Sequence, residues 1–239
     1  MVKKNIVLSL EARMTSTRLP NKIFKKINNL KVIEILIKRI KKIKSIDNFF
    51  VAIPRSKKND KLAFYLKKKK VNFFRGSENN VLERVVKGGE KFQADTLVRL
   101  TGDNPLVDIY MVDMMIKIFK KKKYLDYFSN NGYATSPTRT MPSGIDIEII
   151  KFSTLKNISL YLKKKRYITS PTSYLYLSKK KKFRLAHYKI EKKIREKCNK
   201  NIRLTLDTKA DLRFLQSLFK KIYLKYKLNF NLWNVLNCL

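Results

Sequence analysis

Between Glu11 and Lys22 the chain reads Glu11-Ala12-Arg13-Met14-Thr15-Ser16-Thr17-Arg18-Leu19-Pro20-Asn21-Lys22, which gathers two arginines, a lysine and three hydroxyls into one segment. Guanidinium and ammonium groups neutralise phosphate oxygens, and a loop just beyond a strand exposes backbone N–H groups. The chemistry this pattern suits is polyphosphate binding. The Gly-x-x-x-x-Gly-Lys of a Walker loop is absent, and a plain basic surface loop is the competing reading. A second polar cluster, Thr101-Gly102-Asp103, follows an apolar run. A glycine there permits a tight turn that lifts the carboxylate over a strand's end. Asp103 could equally cap the helix expected from Ile109, and Asp207 the last long helix.

These residues need a scaffold, and the hydrophobic pattern supplies one. Buried-strand runs occur at Lys4 to Leu10, Phe49 to Ile53, Val71 to Phe74, Asp95 to Leu100, Leu125 to Ser129 and Ile145 to Ile150. Helical spacing separates them: Lys31 to Lys44, Lys58 to Lys69, Asn79 to Lys91 and Ile109 to Phe119. Such alternation predicts an α/β fold with a mixed, mainly parallel sheet and helices on both faces, its ligands lying beyond the carboxyl ends of the strands. The second half predicts a helix at Phe152 to Tyr161, strands at Phe183 to Ile190 and Ile202 to Leu206, and a helix from Ala210 to about Tyr226. We expect one domain over 1–239, with regular alternation at 1–130, a less regular stretch at 131–200, and a return strand with C-terminal helices at 201–239.

Composition narrows the function. The net charge is +38, made of 43 Lys and 13 Arg against 18 acidic residues, with 19 Asn, 23 Ile and only 13 Ala plus Gly. Lys, Asn and Ile are the residues of A- and T-rich codons, whereas selection for nucleic-acid recognition enriches Arg. The lysine runs at 67–70, 120–123, 163–165 and 179–182 are scattered, and the first two fall at expected helix C-termini, where cations meet the negative end of the dipole. A specific nucleic-acid surface is therefore the weaker reading, although so basic a chain attracts polyanions at low salt. Cys198, Cys238 and His187 are too few and too far apart for a zinc site or a disulfide framework. Glu11 and Arg13 interrupt the first apolar run where a signal peptide would continue, and no run is long enough to span a membrane, so a cytoplasmic protein is expected.

The segment from Glu11 to Lys22 resembles the signature Gln-Ala-Arg-Met-Gly-Ser-Thr-Arg-Leu-Pro-Gly-Lys of the cytidylyltransferases of the spore-coat-polysaccharide type, relatives of the acylneuraminate and deoxy-octulosonate cytidylyltransferases. Further blocks follow in that family's order: Phe74-Arg75-Gly76-Ser77-Glu78 with Val81-Leu82-Glu83-Arg84, then 98–108, 139–148 and 202–212. The resemblance implies a Rossmann-like nucleotidyltransferase, with 1–130 as its nucleotide-binding core and 131–200 as its acceptor-sugar and dimerisation region. It would transfer CMP from CTP to an acidic sugar for a surface polysaccharide, with Mg²⁺ as cofactor and pyrophosphate as the leaving group. This reaction needs positioning and charge neutralisation more than covalent chemistry, so the lack of a catalytic His or Cys is no obstacle. Carried over residue by residue, Arg13, Lys22 and Asp103 are catalytic and Asp103 and Asp207 hold the metal. Ala12, Arg13, Met14, Thr15, Ser16, Arg18, Lys22, Arg75, Ser77, Glu78, Thr101 and Gly102 bind the nucleotide, and Arg139, Asp146 and Glu148 receive the sugar. Arg75 with its neighbours also fits a turn and helix start, and Asp146 and Glu148 also fit the polar face of a strand. The family resemblance implies a homodimer too, which we expect along the weakly basic strip Ser136 to Glu148 with Pro137, Met141 and Pro142.

Departures from the family pattern set further expectations. Thr15 and Asn21 replace glycines, Glu11 replaces Gln, Asn104 replaces Cys, Asn79 and Asn80 replace acidic residues, Ser143 replaces Asp, and one block survives only as Arg166-Tyr167-Ile168-Thr169. Lost glycines restrict φ where backbone must approach phosphate, Glu11 adds negative charge beside it, and Gly88-Gly89 inside a helix, at roughly 1 kcal/mol per Gly against Ala, suggests relaxed constraint. An inactive or glycosyltransferase-like relative is the alternative these raise.

Overall fold

The first apolar run becomes an interior strand of a seven-stranded sheet in the computed structural model, which describes residues 4–131, 141–177, 183–198 and 202–239. Strand β1 (Ile6–Glu11) is followed by the basic loop, a short hairpin of β2 (Lys26–Ile27) and β3 (Leu30–Lys31), and helix α1 (Val32–Ile40). Strand β4 (Asn48–Pro54), α2 (Asp60–Lys68), β5 (Phe73–Gly76), α3 (Val81–Lys91), β6 (Thr96–Thr101) and α4 (Ile109–Lys121) complete the alternating half. Then come β7 (Tyr127–Ser129), β8 (Glu148–Lys151), α5 (Phe152–Ser159), α6 (Lys165–Thr169), α7 (Ser173–Leu177), β9 (Leu185–His187), α8 (Lys192–Lys197), α9 (Lys209–Tyr226) and α10 (Leu232–Leu236).

The sheet order is β5-β4-β1-β6-β8-β7-β9. Strand β1 lies parallel to both β4 and β6, while β8 runs antiparallel to β6 and β7. The chain therefore reverses its direction of travel across the sheet at β1, and a crevice opens beyond the carboxyl ends of β1 and β6. Alternation along β1 divides the core: Ile6, Leu8 and Leu10 pack on one face with α1, α2, α4, α9 and α10, and Val7 on the other with α3, α5, α6 and α7. The three-layer, mainly parallel α/β fold is as the alternation predicted. Among the described residues no helix is long and apolar enough to cross a membrane.

Three expected strands differ in extent. Sheet pairing of the 145–150 run begins only at Glu148, because Asn130 serves Ile145 and Ile147 instead: its Nδ2 donates to the Ile145 carbonyl at 2.8 Å and its Oδ1 accepts from the Ile147 N–H at 2.8 Å. The 183–190 run pairs only over β9. Ile202 to Leu206 is not a sheet strand. Its N–H groups bond to loops, Leu204 to the Ser143 carbonyl at 2.7 Å and Leu206 to the Asp103 carbonyl at 2.8 Å, and this second bond draws Asp207 toward the crevice. Gly144 is required at that crossing: its φ is +101°, and a Cβ there would lie 2.3 Å from the Leu204 carbonyl carbon.

The expected dimer strip is corrected in its described part. Met141, Ile145 and Ile147 are buried in the chain's own core and Pro142 is covered as well, so they offer no outward face. Ser136 and Pro137 lie outside the described residues, as do the lysines of the 179–182 run. Lys67 and Lys68 end α2 and Lys120 and Lys121 end α4, whereas Lys165 of the third run begins α6 rather than ending a helix.

Buried Arg39 pins the C-terminus to α1. It donates to the carbonyls of Leu228 at 2.9 Å, Val107 at 2.7 Å and Phe230 at 3.0 Å, and stacks 3.4 Å from the Phe230 ring centroid. Burial pushes its pKa down to about 9, which leaves it cationic at neutral pH. The expectation of relaxed constraint at Gly88-Gly89 is also corrected. A Cβ on Gly88 would stand 2.3 Å from the Phe50 ring of β4 and one on Gly89 2.3 Å from the Phe152 ring of α5, so α3 packs as closely as it does on both only because both are glycine. Gly89→Ala should thus lower stability by about 1–3 kcal/mol through overpacking, instead of adding the roughly 1 kcal/mol of helix propensity. The urea unfolding midpoint reads the sign.

Candidate active site

Beyond the ends of β1 and β6 lies a cavity of about 800 Å³. That is within the range of small-molecule sites, roughly 300–1,000 Å³. Its wall includes Ala12, Arg13 and Lys22 from the first loop, Glu78 from the turn after β5, and Thr101, Gly102 and Asp103 from the turn after β6. Three of the five sequence blocks, separated by up to about ninety residues, thus meet in one hollow.

The first loop is held in a defined shape. The buried Asn59 accepts the Met14 N–H at 2.9 Å, and the Met14 carbonyl takes the N–H groups of Ser16 at 3.0 Å and Asn21 at 3.1 Å. Met14 itself is buried beneath the loop and does not line the cavity. Asn21 has φ 57° and ψ 28°, left-handed backbone that asparagine tolerates better than other non-glycine residues. Thr15, in the other glycine position, donates its hydroxyl to Glu78 Oε1 at 3.0 Å. Both replacements are accommodated by the fold rather than crowding it. Hydrogen bonds from Ser56 and Thr15, with Arg13 and Arg84 nearby, keep the Glu78 carboxyl below its usual range despite partial burial.

At the other end of the loop, Lys22 Nζ donates to Asp103 Oδ2 at 3.1 Å and to Asp207 Oδ1 at 3.0 Å. Asp103 Oδ1 accepts the Thr101 hydroxyl at 2.6 Å. Asp207 Oδ2 takes Arg18 at 3.0 Å and Arg203 at 2.5 Å. Burial alone would raise the Asp207 pKa, but the Lys22 hydrogen bond and the charges of Lys22, Arg18 and Arg203 hold it below the ordinary value. Neither carboxylate is a helix cap. Asp108 caps α4 through the N–H groups of Tyr110 and Met111, and Thr208 caps α9 in a reciprocal pair with Asp211.

Glu11 does line the cavity, but its charge is already matched. Arg99 Nε contacts Glu11 Oε1, Arg99 Nη2 donates to Glu11 Oε2 at 3.1 Å, and Arg99 Nη1 contacts Glu148. Burial would lower the guanidinium pKa, yet the two carboxylates together raise it well above its ordinary value. Glu148 also accepts the Tyr127 hydroxyl at 2.6 Å and the Thr172 hydroxyl at 2.7 Å, so it is an interior anchor. Asp146, Arg99 and Glu148 border a separate hollow of about 170 Å³ that shares Thr101 with the main cavity. Arg139 lies outside the described residues.

Arg75 is turned away from the cavity. It clamps the turn after β4 by donating to the Arg55 carbonyl at 2.8 Å, the Ser56 carbonyl at 3.1 Å and Asp60 at 2.5 Å. The Ser77 hydroxyl accepts the Asn80 N–H at 3.0 Å and its carbonyl accepts Arg84, which builds the start of α3. Arg84 is a wall residue that the motif reading quoted without assigning a role. It is 3% exposed, its Nε has no partner, and burial lowers its pKa. Its helical spacing from Val81 and Gly88, three residues before and four after, places it beside the buried side of α3, and that was the available signal. Lys165, Ile168 and Thr169 of α6 supply the remaining wall.

The chain matches the family model described as cytidylyltransferase over residues 7–232. It is a member of the cytidylyltransferase family. It is 30% identical over 230 residues to an uncharacterised protein of Methanocaldococcus jannaschii, covering 96% of this chain and 86% of that one. It is likewise 30% identical over 232 residues to the spore coat polysaccharide biosynthesis protein SpsF of Bacillus subtilis, covering 91% and 87%. Among solved structures it superposes on a cytidylyltransferase of Leptospira borgpetersenii with a TM-score of 0.85 at 26% identity, covering 98% and 93% of the two chains. The synthetase for CMP-2-keto-3-deoxy-manno-octonic acid shares the fold, with a TM-score of 0.65 at 15% identity and coverage of 91% and 99%.

The triad of Glu11, Arg99 and Glu148 implies that Glu11→Gln harms the protein. Removing one carboxylate from a buried guanidinium should lower stability by about 2 kcal/mol, with no gain in nucleotide affinity. Denaturant titration alongside calorimetric nucleotide binding measures both.

Proposed function

We propose that this cytidylyltransferase moves CMP from CTP onto a hydroxyl of an acidic sugar destined for a surface polysaccharide. The observation that carries this reading is the convergence of Arg13, Lys22 and Asp103 on one cavity at the sheet's crevice, with Asp207 bound to Lys22 and Arg18 bound to Asp207. Arg13, Arg18 and Lys22 bind the triphosphate, and the loop from Ala12 to Ser16 fixes where they point. An acceptor oxygen forms a bond to the α-phosphorus as the bond from that phosphorus to the bridging oxygen breaks. The electron pair leaves with pyrophosphate, and the hydroxyl proton passes to solvent.

The donor set suits a small hard cation, since two carboxylates of separate segments converge on a single ammonium at 3.1 and 3.0 Å. Asp103 and Asp207 would hold Mg²⁺, which when bound neutralises charge on the phosphates. The hollow bordered by Asp146 adjoins the main cavity through Thr101 and is the candidate seat for the acceptor. The resemblance also implies a homodimer, whose contact would lie elsewhere than on Met141 and Pro142.

Thermal unfolding with each nucleoside triphosphate and Mg²⁺ at about physiological salt tests the reading, because a bound ligand stabilises by RT ln(1 + [L]/Kd). CTP should raise the midpoint more than ATP, GTP or UTP. Asp103→Asn should slow pyrophosphate release by about 100-fold while unfolding at the wild-type temperature, since a carboxamide is a poor ligand for a hard cation. Equal shifts with all four nucleotides, or an Asp103→Asn variant of undiminished rate, would overturn it.

A further inference from the structure

Two of the three cations assigned to the triphosphate, Lys22 and Arg18, are bound to the carboxylates assigned to the metal. Lys22 Nζ sits between Asp103 Oδ2 and Asp207 Oδ1, the two oxygens that face the same point, and its side chain is only 13% exposed. The second oxygen of each carboxylate is already engaged: Asp103 Oδ1 by the Thr101 hydroxyl, Asp207 Oδ2 by Arg18 and Arg203. Arg203 is additionally 3.4 Å from Asp211, which holds it at the base of α9. Three cations therefore crowd the carboxylate pair, one of them, Arg203, shared with Asp211, and a divalent cation approaching the pair encounters a site occupied by an ammonium and flanked by like charge.

We infer that Lys22 holds the metal's place in the resting protein, so that the carboxylate pair admits a divalent cation only when a triphosphate draws Lys22, and with it Arg18, away. This rests on the reading of Asp103 and Asp207 as metal ligands. The physical basis is an exchange of partners. A triphosphate brings more negative charge than the carboxylates and takes over the flexible cations. The vacated oxygens would then be free to hold a divalent cation, so that no charge is left unpaired in a largely buried site. Arg18, 64% exposed on a long side chain, can reorient at little cost. The consequence is that free metal is excluded and the cation enters as part of a metal–nucleotide complex.

The test is Mn²⁺ binding followed by the electron paramagnetic resonance signal of the free ion, with and without the non-reactive analogue α,β-methylene CTP. Without nucleotide, the wild type should bind Mn²⁺ weakly, and Lys22→Met should bind it at least about tenfold more tightly. Lys22→Gln, which keeps a polar head in the same space, should show the same gain, and circular dichroism melts establish that both variants are folded. Adding Asp103→Asn to Lys22→Met should abolish the gain. If neither Lys22 variant gains affinity, the place-holder is wrong. If, in that case, Asp103→Asn still weakens Mn²⁺ binding to the wild type with the analogue, only the exchange fails and the ligand assignment stands. If Asp103→Asn leaves that binding unchanged, the ligand assignment fails with it.

Discussion

An ammonium with 13% of its side chain exposed cannot be left without counter-charge, and Lys22 finds that charge on two chain segments remote from its own. Around this one contact the edge of the cavity is organised. The loop after β1 must turn so that Lys22 reaches across, which the Met14 carbonyl and the left-handed Asn21 arrange. The turn after β6 must lift Asp103, which Thr101 orients. The segment before α9 must pass close enough for Asp207, and it does so through the backbone bond from Leu206 to Asp103.

Behind Glu11, which lines the cavity, lies a second buried charge. Arg99 stands opposite Ser9 on β1 and opposite Glu148 on the antiparallel β8, so the strand that reverses the sheet's direction also delivers the carboxylate that Arg99 needs. Glu11, at the end of β1, completes the triad from the cavity side. Within a chain of net charge +38, these acidic groups offset the basic loops at the crevice and leave arginine and lysine heads directed at the hollow. A pocket of mixed sign favours a ligand that is itself polar and charged over indiscriminate attraction of polyanions.

The fold and the meeting of the main motifs were legible in the sequence because the apolar periodicity is strong and each motif follows a strand. Asp103 and Asp207 could each be a cap or a ligand from sequence alone. The structure gives the caps to Asp108 and Thr208 instead, which periodicity cannot distinguish within a few residues. The run at 202–206 looked like a strand because its apolar residues alternate, yet alternation says nothing of whether a neighbour strand is present to pair. Glu11 and Gly89 were misread for one reason. A residue's departure from a pattern shows that something changed, but only the partner across space, Arg99 for one and Phe152 for the other, shows what it serves.

The most direct measurement is a crystal structure of the protein with α,β-methylene CTP and Mg²⁺. The triphosphate is expected against Arg13, Arg18 and Lys22, with Lys22 Nζ withdrawn from between Asp103 and Asp207. A nucleotide bound outside this cavity, or bound within it while Lys22 still bridges the two carboxylates, would contradict the assignment of these residues.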